Sequence, residues 1–210
     1  MYLDKIKSQS RFSMIVVALA IVSMCLTMAT NDQITRADDF MSRYEADLVS
    51  SSAPIPSYDT PDYAQSVSIF NDLLCVADND TGLIVLNIST GVDPTLVDSC
   101  DTPGEALDVV AAENVAYIAD GDAGVQIINL TDPSDYEIIK TIDTPGNAKE
   151  IMTNGDLLYV ADGSGGLQII NVSNPLTASI IGACPVPGSA VSLDLYEEKV
   201  YIAANNTGLQ

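Results

Sequence analysis

Apolar and polar residues fall along this chain in short blocks, and the blocks recur. Between Ala106 and Ile142, four mostly apolar runs (Ala106–Ala112, Val115–Ala119, Val125–Leu130 and Ile138–Ile142) are separated by breaks of Gly, Asp, Asn and Pro. Each run is five to seven residues long and rich in Val and Ile. None reaches the ten to twelve residues of a helix. β-branched runs punctuated by turn formers predict strands, so the block reads as a four-stranded antiparallel meander. The middle runs, Val115–Ala119 and Leu157–Ala161 among them, barely alternate apolar with polar. A strand with one wet face alternates. These sheets are therefore expected to be covered on both faces.

The block is repeated. YIADGDAGVQIINLTDP at Tyr117–Pro133 returns as YVADGSGGLQIINVSNP at Tyr159–Pro175, a spacing of 42 residues. CVADNDTGLIVLNISTG lies the same distance upstream at Cys75–Gly91, and YIAANNTGLQ downstream at Tyr201–Gln210. Without insertion, three units cover 59–100, 101–142 and 143–184, and a fourth, 185–210, is cut at 26 residues. Fixed columns include Ala64, Ala106, Ala148 and Ala190; Ala77, Ala119, Ala161 and Ala203; Gly82, Gly124, Gly166 and Gly208; and Asn87, Asn129 and Asn171.

A ring of small sheets, each packed between two others, buries both faces and gives a reason for a constant period. That is a β-propeller of four-stranded blades, and the chain is expected to be an all-β propeller of about 3.6 blades. A β-sandwich, the runner-up, gives no reason for the period, and the coils of a β-helix are shorter. The Ala77 column is expected to face a neighbouring blade. The Gly82 column stands where a hairpin re-enters a strand, a place that often needs positive φ. Asp-Thr-Pro-Gly at Asp101 and Asp143 is expected to turn the chain between blades. The combination of YVAD, a Gly-containing break, GLQIINVSNP and a return through TPG resembles the LVIVD-repeat family over roughly residues 59–210. The resemblance implies a bacterial or archaeal β-propeller, mostly secreted or surface-attached, with binding or surface roles. It brings no catalytic residues with it. Units numbering about 3.6 leave a ring of the usual size unclosed. A piece of a longer reading frame is therefore expected, with blades from another chain as the alternative.

Ahead of the repeats, Lys5, Lys7 and Arg11 precede the sixteen-residue apolar stretch Met14–Ala29. This order predicts a secretory signal over residues 1–29, shorter than the about 20 residues that span a bilayer. Localisation is then extracellular or at the cell surface. An uncleaved signal anchor is the alternative, and membrane contact is expected only through it. Residues 30–58 read as a linker. Within it Arg36–Val49 has the pattern of a short helix, Ser50–Ser57 is rich in Ser and Pro, and Leu48–Tyr58 is alternatively an outer strand completing the last blade.

Charge narrows the partners. The chain carries −21, and residues 59–210 hold 23 Asp and Glu against Lys140, Lys149 and Lys199. Such a field repels phosphates and anionic headgroups, which disfavours nucleic acid. The chain has no His, so Ser-His-Asp and Cys-His catalysis and His-ligated metals are absent from it. Cys75, Cys100 and Cys184 lack metal-ligand spacing. Cys100 and Cys184 lie two blades apart, too far for a mutual disulfide. Gly163–Gly166 joins two strands and precedes no helix, so it is not a phosphate loop.

Two hairpins place carboxylates at alternate positions, Asp78 with Asp80 and Asp120 with Asp122. Calcium loops use such spacing, but with a downstream bidentate Glu that is missing here. Turn chemistry accounts for these residues without a metal. The reading is therefore no cofactor, with calcium at these four Asp as the alternative. Five N-x-S/T sequons begin at Asn79, Asn87, Asn129, Asn171 and Asn205, three of them in one repeat column, and their side chains are expected to bond the turn backbone. The function expected is an exported, surface-associated binding module for a protein or carbohydrate, not an enzyme. The alternatives are an exported hydrolase or lyase with its site in further blades, and a purely structural array.

Overall fold

The computed structural model describes residues 57–91 and 93–210. The expected signal, the Arg36–Val49 helix and nearly all of the linker lie outside them. Ser57 and Tyr58, the described end of the alternative closing strand, carry no strand. The described chain is almost wholly β, with a single turn of 3₁₀ helix at Pro175–Thr177. No described helix is long and apolar enough to cross a membrane.

The first sheet is β1 (Ser66–Phe70), β2 (Leu73–Ala77), β3 (Leu83–Asn87) and β4 (Thr95–Cys100), hydrogen-bonded in that order. The second is β5 (Asp108–Ala112), β6 (Val115–Ala119), β7 (Val125–Asn129) and β8 (Glu137–Ile142). The third is β9 (Glu150–Asn154), β10 (Leu157–Ala161), β11 (Leu167–Asn171) and β12 (Ser179–Cys184). The fourth has three strands, β13 (Ser189–Tyr196), β14 (Lys199–Asn205) and β15 (Gly208–Leu209). Every pairing is antiparallel between sequence neighbours. The register repeats as well as the order: Leu73 faces Asn87, Val115 faces Asn129 and Leu157 faces Asn171. The third-to-fourth strand pairing shifts at the same column each time, at Val85/Leu86, Ile127/Ile128 and Ile169/Ile170. A bulge in the same place in three sheets is a built feature that bends the outer strand.

The innermost strands meet in chain order, β1 with β5, β5 with β9 and β9 with β13. Between the first two sheets, Cys75, Ala77, Leu83 and Val85 pack on Ala106, Val109, Ala116, Ile118 and Ile128. Between the second and third, Tyr117, Ala119, Val125 and Ile127 pack on Ala148, Ile151, Leu158, Val160 and Ile170. Between the third and fourth, Ala161 and Leu167 pack on Ala190, Leu193 and Ile202. Alternate residues of one strand thus serve two different interfaces, which is why the middle strands show no polar face. At about 25 cal/mol per Å² of apolar surface removed from water, these sheet-to-sheet layers are the main source of stability. The Ala77, Ala119 and Ala161 column faces the next blade, as its small size requires. Gly82, Gly124 and Gly166 hold φ between +75° and +82°. A Cβ at Gly124 would also strike the Ile142 carbonyl oxygen and Thr144 nitrogen.

Candidate functional site

An antiparallel meander puts its second-to-third hairpin and its exit to the next sheet at one end. At that end the hairpins Asp78–Gly82, Asp120–Gly124 and Asp162–Gly166 meet the linkers that carry Thr60, Thr102 and Thr144. Asp78, Asp120 and Asp162 are fully buried. A buried carboxylate needs hydrogen-bond donors, and the linkers supply them. Asp120 Oδ1 accepts from the Thr102 hydroxyl at 2.6 Å and Oδ2 from the Gly104 N–H at 3.0 Å. Asp162 accepts from the Thr144 hydroxyl at 2.7 Å and the Gly146 N–H at 2.9 Å. Gly146 is obligatory here, because a Cβ would collide with the Asp162 carbonyl oxygen. Burial pushes both carboxyls above the usual range, and the linker donors pull them part of the way back. Asp101 and Asp143 add like-charge repulsion.

The residue after each Asp reaches the other way. Gly121 exchanges two backbone hydrogen bonds with Ala148 at the start of the third blade, at 3.1 and 2.9 Å. Asn79 does the same with Ala106, and Gly163 with Ala190. One dipeptide therefore grips the linker into its own blade by side chain and the start of the next blade by backbone. In the first blade Asp78 Oδ2 accepts from Asp62 N–H at 3.0 Å. The Thr60 hydroxyl donates instead to the Asp62 carbonyl at 3.2 Å. Asp78 Oδ1 has no hydrogen-bond partner among the described residues.

The four carboxylates singled out by spacing are thus divided. Asp78 and Asp120 point into the linker clamp, while Asp80 and Asp122 are exposed. Asp80 accepts from Asn79 Nδ2 at 3.2 Å and Asp122 from Asn147 Nδ2 at 2.7 Å. The described residues hold no group of three or more acidic, Cys or His side chains disposed for a metal. Asp59, Asp101 and Asp143 are exposed in the linkers at the same end. The rim there is acidic and its scaffold is held by the clamp.

Other features escaped the sequence reading. Ser66, Asp108, Glu150 and Ser192 share a repeat column on the innermost strands, at the start of β1, β5 and β9 and at the fourth residue of β13. Asp108 accepts from the Ser66 hydroxyl on one side and from Ile151 N–H, at 2.9 Å, on the other. Glu150 accepts from Leu193 N–H. Burial raises the Asp108 carboxyl, and Glu150 adds repulsion. The signal was a polar column in an otherwise apolar strand. At the opposite end, a cavity of about 450 Å³ between the second and third blades is lined by Glu113, Tyr117, Thr153, Asp156 and Ser173. Burial, and then Glu113, raises the Tyr117 hydroxyl. Of the sequons, the three in one repeat column bond their own turn as expected: Asn87 Oδ1 accepts from Ser89 N–H and hydroxyl at 2.8 and 2.7 Å. Asn129 and Asn171 repeat the arrangement, whereas Asn79 Nδ2 donates to the carboxylates of Asp62 and Asp80.

Comparison with known proteins adds the fold relatives. The computationally designed Ika4 protein superposes with TM-score 0.61 at 10% identity, over 76% of this chain and 96% of that one. BamB from Moraxella catarrhalis gives 0.57 at 10% identity, over 72% of this chain and 47% of its own. The β-propeller domain of Cps50 (Swd1) from Myceliophteria thermophila gives 0.54 at 15%, over 67% and 49%. The chain thus spans about half the length of the last two. No curated protein matches the sequence. A family model for the LVIVD repeat matches residues 61–102, 103–144 and 145–185 in succession. With its three consecutive matches and four propeller blades, the chain belongs to the LVIVD-repeat family.

Proposed function

We propose that this LVIVD-repeat propeller is an exported, cell-surface-associated binding module that presents its linker-and-hairpin end to a partner. The observation that carries the reading is the division of labour among the aspartates at that end. Asp120 and Asp162 are buried and hold the loops in place. Asp80, Asp101, Asp122 and Asp143 stand outward in repeated positions. A surface held in one geometry before contact loses little entropy on binding. Its sign selects for cationic groups and repels phosphates. The partner is therefore a basic protein, with a carbohydrate as the second class. Catalysis is left out of the proposal: the chain has no His, and the buried Asp120 and Asp162 carboxylates are engaged by linker donors. Export rests on the basic-then-apolar N-terminus.

The test is surface-immobilised full chain probed with polylysine, lysozyme and a set of neutral glycans. Binding of the basic probes should weaken with salt and drop at least tenfold in the Asp80→Asn/Asp122→Asn double variant. Binding untouched by that variant would place recognition elsewhere. Protease shaving of intact bacterial cells expressing the chain should remove it, and protection from the protease would contradict surface exposure.

A further inference from the structure

We infer that the cavity of about 450 Å³ between the second and third blades is a binding site for a small organic cation, an ammonium group carried on a short carbon chain. It lies at the end opposite the linker clamp, and its lining residues all belong to two complete four-stranded blades. Its volume falls in the range of small-molecule sites, roughly 300–1,000 Å³. Tyr117 forms part of its wall and is only 5% exposed. The hydroxyl of that side chain makes no hydrogen bond to a described residue; burial and the neighbouring Glu113 carboxylate are what act on it. A hydroxyl so enclosed ordinarily has a partner. Here the space beside it is the cavity, and its oxygen is free to accept from a ligand.

The chemistry of this interface departs from that of its neighbour in the repeat. Glu113 and Asp156, on the turns between the two innermost strands of their blades, line the cavity. Across the first-to-second interface the same columns hold Asn71 and Asn114. Thr153 stands where that interface has Ala111, and Tyr117 where it has Cys75. Between the first two blades the tyrosine comes from the other side, and Tyr136 packs with Cys75. Tyr117 packs instead with Ala178, the residue of the Tyr136 column. Four uncharged residues around one interface thus give way to two carboxylates and two hydroxyls around the next. Neither Lys nor Arg is among the lining residues, so the carboxylates select a positive guest. An ammonium donates three hydrogen bonds and accepts none, which suits a wall of carboxylate and hydroxyl oxygens. Val115, Val172 and Pro175 add apolar wall for the carbon chain. The described residues offer no group of three acidic side chains disposed for a metal ion, which turns the choice to an organic cation.

Calorimetric titration of the full chain with butylammonium tests this, with 1-butanol, glucose and calcium as comparison probes. Butylammonium should bind saturably and the other three should not. Glu113→Gln and Asp156→Asn should each weaken binding about tenfold, the loss of one charge-assisted contact, and Tyr117→Phe about threefold. The Asp80→Asn/Asp122→Asn double variant, altered at the opposite end, should bind as the parent does. That variant separates this site from the linker-and-hairpin end, so either proposal can fail without the other. No saturable uptake of butylammonium would overturn the inference, as would equal uptake of 1-butanol or glucose, or calcium bound in its place. Affinity lost in Asp80→Asn/Asp122→Asn but kept in Glu113→Gln would do the same. Glu113 and Asp156 are exposed turn residues, and circular dichroism checks that their variants are folded. If Tyr117→Phe does not fold, Thr153→Val replaces it with the same expected loss.

Discussion

The second and fourth blades are written in the same repeat but held by different means. In the second, the buried Asp120 carboxylate takes a hydroxyl from Thr102 and an N–H from Gly104. In the fourth, the corresponding positions are Ala204 and Val186. Neither member of the Thr–Asp pair survives without the other. The physical reason is desolvation. A carboxylate deprived of its hydroxyl partner stays buried and undersatisfied, whereas replacing both groups by apolar ones leaves nothing to satisfy. Thr207 donates instead to the Pro187 carbonyl there, a plainer tie between hairpin and linker. Among the described residues the same repeat column also differs in burial: Ile151, between the second and third blades, is 2% exposed and Val67 is 61% exposed. A repeat sequence thus specifies a blade, and its place in the stack decides how much that blade is worth in stability.

Core truncation should break the comparison most forcefully. Ile151→Ala removes a side chain enclosed between the second and third blades and should cost about 3 kcal/mol by urea unfolding. Val67→Ala, in the same column, should fall within about 0.5 kcal/mol of the parent. Equal costs would mean that the stack position does not matter. Thiol labelling reads the same contrast without substitution. Cys184 is exposed and Cys100, its column partner, is buried. Cys184 should react at least about 100-fold faster than Cys100, a gap of about 2.7 kcal/mol in local opening. Cys75 should be the slowest, since burial pushes its thiol up to about 12 and the thiolate is the reactive form.

The clamp predicts a coupling of smaller size. Asp120→Ala strands the Thr102 hydroxyl and Gly104 N–H, and Thr102→Val strands one carboxylate oxygen; each should cost about 1–3 kcal/mol. The double variant Thr102→Val/Asp120→Ala imitates the fourth blade. It should cost less than the sum of the two, and strict additivity in the cycle would refute the pairing argument.

The smallest effect is with pH. Burial raises the Asp108, Asp120 and Asp162 carboxyls above the usual 3.8 in the folded state. The folded chain therefore holds these protons more tightly than the unfolded one. Their contribution to stability is fully present below 3.8 and is lost as pH rises through the raised values. The melting temperature should accordingly climb as pH falls from neutrality toward that range, and Asp120→Asn should flatten the climb. Asp132 works in the opposite sense, lowered by its bonds to Ser134, but it is fully exposed and should contribute less. A melting temperature that only drops on acidification would sink this reading.

Much of the fold was legible because the repeat made the strand pattern visible several times over. The non-alternating run Val115–Ala119 identified a strand covered on both faces, and the Gly82 column marked the positive-φ hairpin ends. The clamp was not legible. Asp120 and Thr102 are eighteen residues apart, and within its own hairpin Asp120 looks like an ordinary turn residue. Asp108 likewise interrupts an apolar run without announcing that its partners are Ser66 and Ile151 in two other blades.

What the sequence determined by itself is everything with a short range and a period: the strands, their turns, the blade as a unit and the sign of the surface. Local propensity and a two-residue alternation suffice for those. Only the tertiary structure decided which of two neighbouring aspartates is buried and which column residues meet another sheet. Those outcomes depend on what lies across a sheet-to-sheet gap, and the same residue in the same repeat position answers differently when the other side of the gap changes.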